Sequence, residues 1–497
     1  AQQNNAEVGD PANDRLRVDA EDLRVKVLGE GANLGITQAA RIAFATQGGR
    51  INTDFIDNSA GVDCSDNEVN IKIALNQEVR DGALGAEARN SLLAAMTDDV
   101  AALVLEDNRL QALALSIAEQ SGVAATPAII RLIDQFESEG RLDRAVEGLA
   151  GNDELTRRMQ DQRGLTRPEL AVLLSTAKLA IQDDAERARL GSDALMDGEV
   201  LAAFPPAMVA AHRSAILSHQ LRGEIIATKV ANRLINRMGL THPFELAEEE
   251  GVGMADVAEA FVVAENLFAM PALWQQIDEA DMPEPARIAL YGEVAVELRA
   301  QMADLIRNGI SGRSMAQCVE QLRPGIAELD RETARLLHQE ARHQADAFRA
   351  RLEGTGAPAP LVNAIVHLAE IDGAVGLAAL ALTKAVDPVA LTRAFTALGA
   401  GTGLDWAQGA AMRLAPSDPW ERLLVAGLAR DFQQMRLDMI ARLTGEPEAA
   451  TTQWLERNQG RVSQFCTFVE RARNAPQPSP AMLAQLAGQA RSLLARS

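Results

Sequence analysis

The residues best suited to chemistry lie between Arg24 and Lys72. Gly29-Glu30-Gly31-Ala32-Asn33 follows a β-branched run, Val25-Lys26-Val27-Leu28. Glycines after a strand let backbone N–H groups approach a ligand, and Gly31 is the candidate for that contact. The spacing is not the full dinucleotide fingerprint, because the next glycine, Gly35, comes one place late. Asn33 lies just beyond the turn. Its amide can donate and accept, which suits a ribose or a carboxamide; the competing use is to satisfy turn backbone. A second small-residue turn, Asn58-Ser59-Ala60-Gly61-Val62, precedes Ser65-Asp66-Asn67-Glu68. The latter reads as a capping box, so Ser65 is expected to cap a helix running through Lys72. A helix N-terminus carries partial positive charge and can hold a carboxylate. The Ser65 hydroxyl can donate to that carboxylate, and Gly61-Val62 let the main chain come close. Asp54, Asp57, Asp63 and Asp66 make the vicinity acidic, so an anion there requires cations from elsewhere.

The elements that must position these residues are strand, tight turn and helix, repeated twice. The pattern gives a strand to Leu28, a helix from Ile36 to Thr46 stopped by Gly48-Gly49, an extended run from Arg50 to Ile56, and a helix from Ser65. α/β enzymes present ligand-binding backbone in this way, at the carboxyl ends of their strands. Residues 1–15 read as a polar tail or loop, 16–81 as the α/β segment, and 82–497 as a helical domain. Thr97 opens an amphipathic run. Thr166-Arg167-Pro168-Glu169 is a capping box with Pro in the first turn, starting a helix from Pro168 to Ile181. Pro205-Pro206 breaks one helix and starts another. Leu221 to Met238, closed by Gly239, carries a basic stripe, Lys229, Arg233 and Arg237, expected to be solvated or ion-paired. Further helices are expected at Asp256–Phe268, Pro285–Arg307, Glu328–Leu352 and Pro419–Leu443, with proline-rich breaks near Pro358 and Pro478. Trp274, Trp406, Trp420 and Trp454 are expected to anchor helix packing.

Composition narrows the classes. At 497 residues the chain can hold two or three domains, and with aromatics at 3% its core must be aliphatic and alanine-rich. A net charge of -21 argues against a nucleic-acid or anionic-membrane partner and suits a cytoplasmic protein. Cys64, Cys318 and Cys466 are too far apart for a zinc pattern and odd in number. His212 with His219, and His338 with His343, lack the further ligands of a metal set. No apolar run is expected to reach membrane-spanning length, and no signal peptide is visible. The first residue is not Met, so the chain reads as a processed protein or a piece of a larger one.

Gly29-Glu30-Gly31-Ala32-Asn33 followed by Asn52-Thr53-Asp54-Phe55-Ile56-Asp57-Asn58-Ser59-Ala60-Gly61-Val62-Asp63-Cys64-Ser65-Asp66 resembles the large NAD-specific glutamate dehydrogenases of bacteria. Leu165-Thr166-Arg167-Pro168-Glu169-Leu170-Ala171-Val172-Leu173-Leu174 and Glu224-Ile225-Ile226-Ala227-Thr228 extend the resemblance over most of the chain. It implies that Gly31, Asn33 and Asn58 face NAD, with Asn33 on the nicotinamide ribose and Asn58 on the carboxamide. It implies that Gly61, Val62 and Ser65 lie beside L-glutamate or 2-oxoglutarate, with Ser65 on the side-chain carboxylate. Ser59-Ala60 and Asp63-Cys64 depart from the smaller enzymes of the family. Ala60 in place of glycine leaves less room for main chain to approach a ligand. The implied fold is an α/β edge, the end of a Rossmann-like dinucleotide-binding domain, followed by a large mostly α-helical domain, in a homo-oligomer. The family's catalytic lysines belong to a more N-terminal part. Lys26, Lys72, Lys178, Lys229 and Lys384 match none of those motifs, so the chain is expected to be a C-terminal portion without catalytic residues of its own. A helical regulatory or oligomerisation module with no catalysis is the alternative reading.

Overall fold

Among the described residues, strands are confined to the segment that carries the glycine turns. In the computed structural model, which describes residues 5–414, 416 and 418–495, Val27–Leu28 (β1) and Arg50–Ile51 (β2) pair in parallel. Val27 lies opposite Arg50 and Leu28 opposite Ile51. Parallel neighbours require a crossover, supplied by the Gln38–Thr46 helix. Thr37 caps that helix, its hydroxyl accepting from the Ala40 N–H. Ala20, Phe44 and Ile51 make the small core beneath it. Gly49 is needed there, because a Cβ would stand 2.4 Å from the Phe44 ring.

The extended run stops at Ile51, short of Ile56, because the chain turns into a one-turn helix, Asp54–Asp57. The next helix is Ser59–Arg80, so it opens six residues before the Ser65 capping box. Ser65 therefore lies inside the helix, and its hydroxyl donates back to the Gly61 carbonyl at 3.1 Å. The small residues Ser59-Ala60-Gly61 do not delay the helix; burial of Ile71, Ala74 and Leu75 outweighs the modest helix cost of Gly61. In the polar N-terminal stretch, Asn5–Val8 forms one helical turn. Ala1 to Asn4 lie outside the described residues.

From Ala86 onward the described residues are helical with connecting turns. The chain segments into two compact units, Ala1–Phe244 and Glu245–Ser497. In the first, Thr97–Ser121, Arg167–Arg187 and Arg222–Met238 pack together around Leu115, Leu173 and Ile226. The Thr166 capping box forms as the sequence indicates, with the Thr166 N–H donating to Glu169 Oε2 at 2.8 Å. Pro206 starts a helix, and Gly239, at φ 79°, ends Arg222–Met238. In the second unit, Phe261, Tyr291 and Phe432 are fully buried. The expected Glu328–Leu352 helix is two helices, Met315–Leu336 and Gln339–Glu353, because Leu337 and His338 take extended backbone between them. Trp274, Trp406 and Trp454 are buried, but Trp420, in the first turn of Pro419–Arg442, is 79% exposed and anchors nothing.

One expectation about apolar runs is corrected. Thr97–Ser138 has the length and composition to cross a membrane, and two bent helix pairs pass the same test if each counts as one span. A scan for uninterrupted apolar residues misses such a stretch, because averaging over a window tolerates a few charges. In the first unit its Leu113, Leu115, Ile129 and Ile133 are buried against protein.

Candidate functional site

The Gly29–Asn33 turn follows the carboxyl end of β1 and is held by carboxylates from the Asp54–Asp57 helix. The Glu30 N–H donates to Asp57 Oδ2 at 2.9 Å, and the Leu34 N–H donates to Asp54 Oδ2 at 2.8 Å. Leu34 takes φ 57°, a left-handed conformation unusual for leucine, and Asp54 fixes it there. Asn52 Nδ2 donates to the other Asp57 oxygen at 2.8 Å, and Arg167 Nε donates to Asn52 Oδ1 at 2.9 Å. The second turn is tied to the Thr97–Ser121 helix, with Ser59 Oγ donating to Asn108 Oδ1 at 2.8 Å.

Arg41 holds this arrangement from beneath. Its guanidinium grips buried Glu30 through two bonds, Nε at 2.6 Å and Nη2 at 2.8 Å, and reaches Asp54 at 3.0 Å. The Glu30 hydrogen bond, the largest influence, raises the Arg41 pKa further. Burial pushes the Asp54 carboxyl up. The Leu34 N–H and the Arg41 charge outweigh that, so the net pKa is lowered. Asp54 and Asp57 are thus committed to the turn's own N–H groups and neighbours, which occupies these carboxylates while leaving them ionised.

Asn33 and Asn58 meet directly: Asn58 Nδ2 donates to Asn33 Oδ1. Gly31 is exposed, and a Cβ there would touch nothing within 4 Å. Gly61 and Val62 fall in the first turn of Ser59–Arg80, both exposed, with Ser65 one turn on. The helix N-terminus that can hold an anion is therefore at Ser59–Val62, not at Ser65. Gly61 and Ser65 are brought together by the hydroxyl-to-carbonyl bond, while Val62 points outward at 64% exposure.

Behind the second turn lies a charged cluster that the sequence did not mark. Lys229 Nζ pairs with Asp107 Oδ2 at 2.8 Å, and Lys178 Nζ reaches Gln111 Oε1 at 3.5 Å. Burial pushes Lys178 down to about 8, against the pull of Asp107. Burial first, then Asp107, pushes the Asp63 carboxyl up to about 6, and its Oδ2 finds no hydrogen-bond partner among the described residues. In the basic stripe, Lys229 and Arg233 are ion-paired, Arg233 with Glu199 at 2.6 Å, and Arg237 is buried. Lys72 pairs with Glu68 on the surface of its own helix.

The histidines serve packing. His212 Nδ1 bonds Glu78, and His219 Nε2 bonds the Asn70 carbonyl at 3.0 Å, so both tie to the Ser59–Arg80 helix. No group of three or more His, Cys, Asp or Glu able to hold a metal occurs among the described residues. Cys64 is exposed, Cys466 half-buried and Cys318 buried.

Residues 162–491 match the family model "Glutamate dehydrogenase, C-terminal". The chain belongs to that family. Residues 1–118 match a second model, "Bacterial NAD-glutamate dehydrogenase, catalytic domain", so the turns carrying Asn33 and Asn58 fall within the catalytic-domain match. Among curated relatives, the NAD-specific glutamate dehydrogenase of Halomonas elongata is 33% identical over 95% of this chain and 30% of its own length. That of Pseudomonas aeruginosa is 34% identical over 97% of this chain and 30% of its own length. That of Mycobacterium tuberculosis is 38% identical over 60% of this chain and 18% of its own length. This member of the glutamate dehydrogenase family thus spans about 30% of the length of the first two relatives.

Glu30, Arg41, Asn52 and Arg167 were not singled out from the sequence as parts of this site. A signal for Arg41 was present. It is a cation inside the otherwise apolar run Ala39-Ala40-Arg41-Ile42-Ala43, a placement that demands a buried partner.

Proposed function

We propose that this chain supplies one side of the cofactor and substrate site of an NAD-dependent glutamate dehydrogenase. The reaction is oxidative deamination of L-glutamate to 2-oxoglutarate and ammonia, with NAD accepting the hydride. The observation that carries the reading is the direct meeting of Asn33 and Asn58 beside the turn after β1. Two amides that donate and accept, anchored on rigid elements, suit the ribose and carboxamide of a nicotinamide nucleotide. Gly31 leaves open space beside them for a ligand's approach. Gly61, Val62 and Ser65 face solvent on the adjoining helix and are assigned to glutamate, whose carboxylate the positive end of the Ser59–Arg80 helix would favour.

The two-stranded sheet supports membership of a larger, Rossmann-like domain. Parallel sheets are ordinarily covered on both faces, yet Val27 in β1 is 66% exposed and Val25 beside it is also exposed. We assign residues 16–81 to the end of that domain and 82–497 to a helical region. The catalytic lysines come from other parts of a longer polypeptide, working in a cytoplasmic homo-oligomer without nucleic-acid or membrane partners. The charge of -21 supports that last point. The helical alternative, a regulatory or oligomerisation module without catalysis, is favoured by the second unit, which is helical throughout its described residues apart from connecting turns.

The test uses two proteins. The 497-residue chain alone is expected to form no NADH from glutamate and NAD. In a polypeptide that also carries the rest of the relatives' length, Asn58→Ala is expected to lower kcat/KM for NAD by about tenfold or more, as for loss of a buried polar contact to the cofactor. Glutamate-dependent NADH from the short chain, or an unchanged kcat/KM in the variant, overturns the reading.

A further inference from the structure

The second unit carries a solvent-open cavity of about 760 Å³, within the range of small-molecule sites. Its wall is largely apolar, with Leu329, Leu336, Phe348, Ile371, Leu377 and Phe395. Arg436, on the Pro419–Arg442 helix, also lines it and is only 4% exposed. The guanidinium lies over the Phe395 ring, 4.0 Å from its centroid. Nε donates to the Phe432 carbonyl at 3.4 Å and Nη2 donates to Gln408 Oε1. A guanidinium has five N–H donors, so most of its hydrogen-bonding capacity is unused. No carboxylate of the described residues comes within ion-pair distance of it.

The neighbouring arginines differ. Arg430 pairs with Asp372 at 3.1 Å, Arg351 with Glu293 at 2.9 Å and Arg413 with Glu340 at 3.0 Å. Asp405 shares the cavity wall but spends an oxygen on the Trp406 N–H at 2.7 Å. Burial pushes Arg436 down to about 10, against the pull of the Asp405 and Asp372 charges at longer range, so it stays charged at neutral pH. Burial also pushes Glu297, another wall residue, up to about 7, which lessens the negative charge facing the cavity. Carboxylates at longer range offset only part of the cost of a buried cation, so a charge in direct contact with the guanidinium would still be favoured.

We propose that this cavity binds a small organic monocarboxylate with an apolar body, its carboxylate seated on Arg436 beside Phe395. One guanidinium with no carboxylate in contact offers one seat for a negative charge, and its geometry suits a carboxylate. Asp372, Asp405 and Glu370 on the same wall disfavour a dianion. The aliphatic and aromatic wall takes the hydrocarbon part. The site is separate from the Asn33 and Asn58 turns and does not rest on the reading of them.

The test is calorimetric titration of the full 497-residue chain with butyrate, octanoate and 4-phenylbutyrate, each beside its neutral amide. At least one acid is expected to bind saturably and raise Tm, with its amide about tenfold weaker or more. Arg436→Gln is expected to bring the acid down to the amide's affinity. Because that variant can perturb folding, Ala341→Phe, which fills the cavity from a half-buried helical position, serves as a second arm. It is expected to melt as the parent does and to lose binding. Absence of saturable binding by all three acids, equal affinity for acid and amide, or full affinity in both variants overturns the proposal.

Discussion

The Gly29–Ser65 region and the core of the second unit are held in opposite ways. The first has exposed apolar side chains, Leu34, Phe55 and Val62, and a framework of ion pairs and hydrogen bonds around Arg41. The second has fully buried Phe261, Tyr291 and Phe432, with Phe261 stacked on Trp274 at 6.0 Å. Apolar burial is non-directional, so it tolerates imprecision; a charge framework fixes orientation and fails when one member leaves. A turn that must present two amides in one geometry is better served by the second kind of support. The difference teaches that the candidate site was organised for direction, and the second unit for bulk stability.

The comparison can be broken at three points. The largest effect is expected for Phe261→Ala, a loss of about 3–5 kcal/mol in urea unfolding, with little dependence on pH. A loss under about 1 kcal/mol would mean that the second unit's core collapses around the gap, and the contrast would weaken. Next comes Arg41→Met, expected to cost about 3 kcal/mol by leaving Glu30 and Asp54 buried without their cation. This cost should depend on pH. The folded Asp54 pKa is lowered, so its contribution is present above the ordinary aspartate range and is lost as pH falls through the folded value. A flat Arg41→Met deficit between pH 7 and pH 3 would show that packing, not charge, holds the turn. The smallest is Lys178→Met, expected to stabilise by about 1 kcal/mol at pH 7 after discounting for partial exposure. Lys178 is pushed down to about 8 in the folded chain, from 10.5. Between those values the unfolded chain binds more protons, so the parent gains stability as pH rises and the variant's advantage shrinks by about pH 10. Thermal melts at pH 7 and pH 10 check this, and a destabilised variant would show that Lys178 contributes more than it costs.

Two motifs of the same kind show what was legible in the sequence. Thr166-x-x-Glu169 and Ser65-x-x-Glu68 both read as capping boxes. The first forms because Gln162, at φ 57°, and Gly164 interrupt the chain just before it, and Pro168 pre-sets the first turn. Nothing between Asn58 and Ser65 interrupts the backbone, so an earlier start captured the second. A local motif is decided by what lies upstream of it. The β1–crossover–β2 order, the Gly239 stop and the helical character after Asp81 were legible because glycine, proline and periodicity are local signals. The cavity around Arg436 was not, since residues from 297 to 436 build it and periodicity carries no trace of such convergence. Trp420 shows the same limit, because an aromatic in a first helical turn points wherever the neighbouring elements allow.

The brevity of the β1–β2 sheet has a kinetic meaning. Each strand contributes two residues, and the Arg50 N–H to Lys26 carbonyl bond at 2.9 Å adds one link at its start. Opening it breaks few ladder bonds and uncovers one core side chain, Ile51, whereas opening Ser59–Arg80 must release Ile71, Ala74 and Leu75. Amide protons at residues 27–28 and 50–51 therefore belong to the least protected class of hydrogen exchange, and those around residues 71–75 to a slower, cooperative unit. The sheet is expected to open more often than the helices behind it, though only briefly. That leaves the turn carrying Asn33 resting on its carboxylate contacts during each excursion, with Asp54 and Asp57 as the memory of its shape.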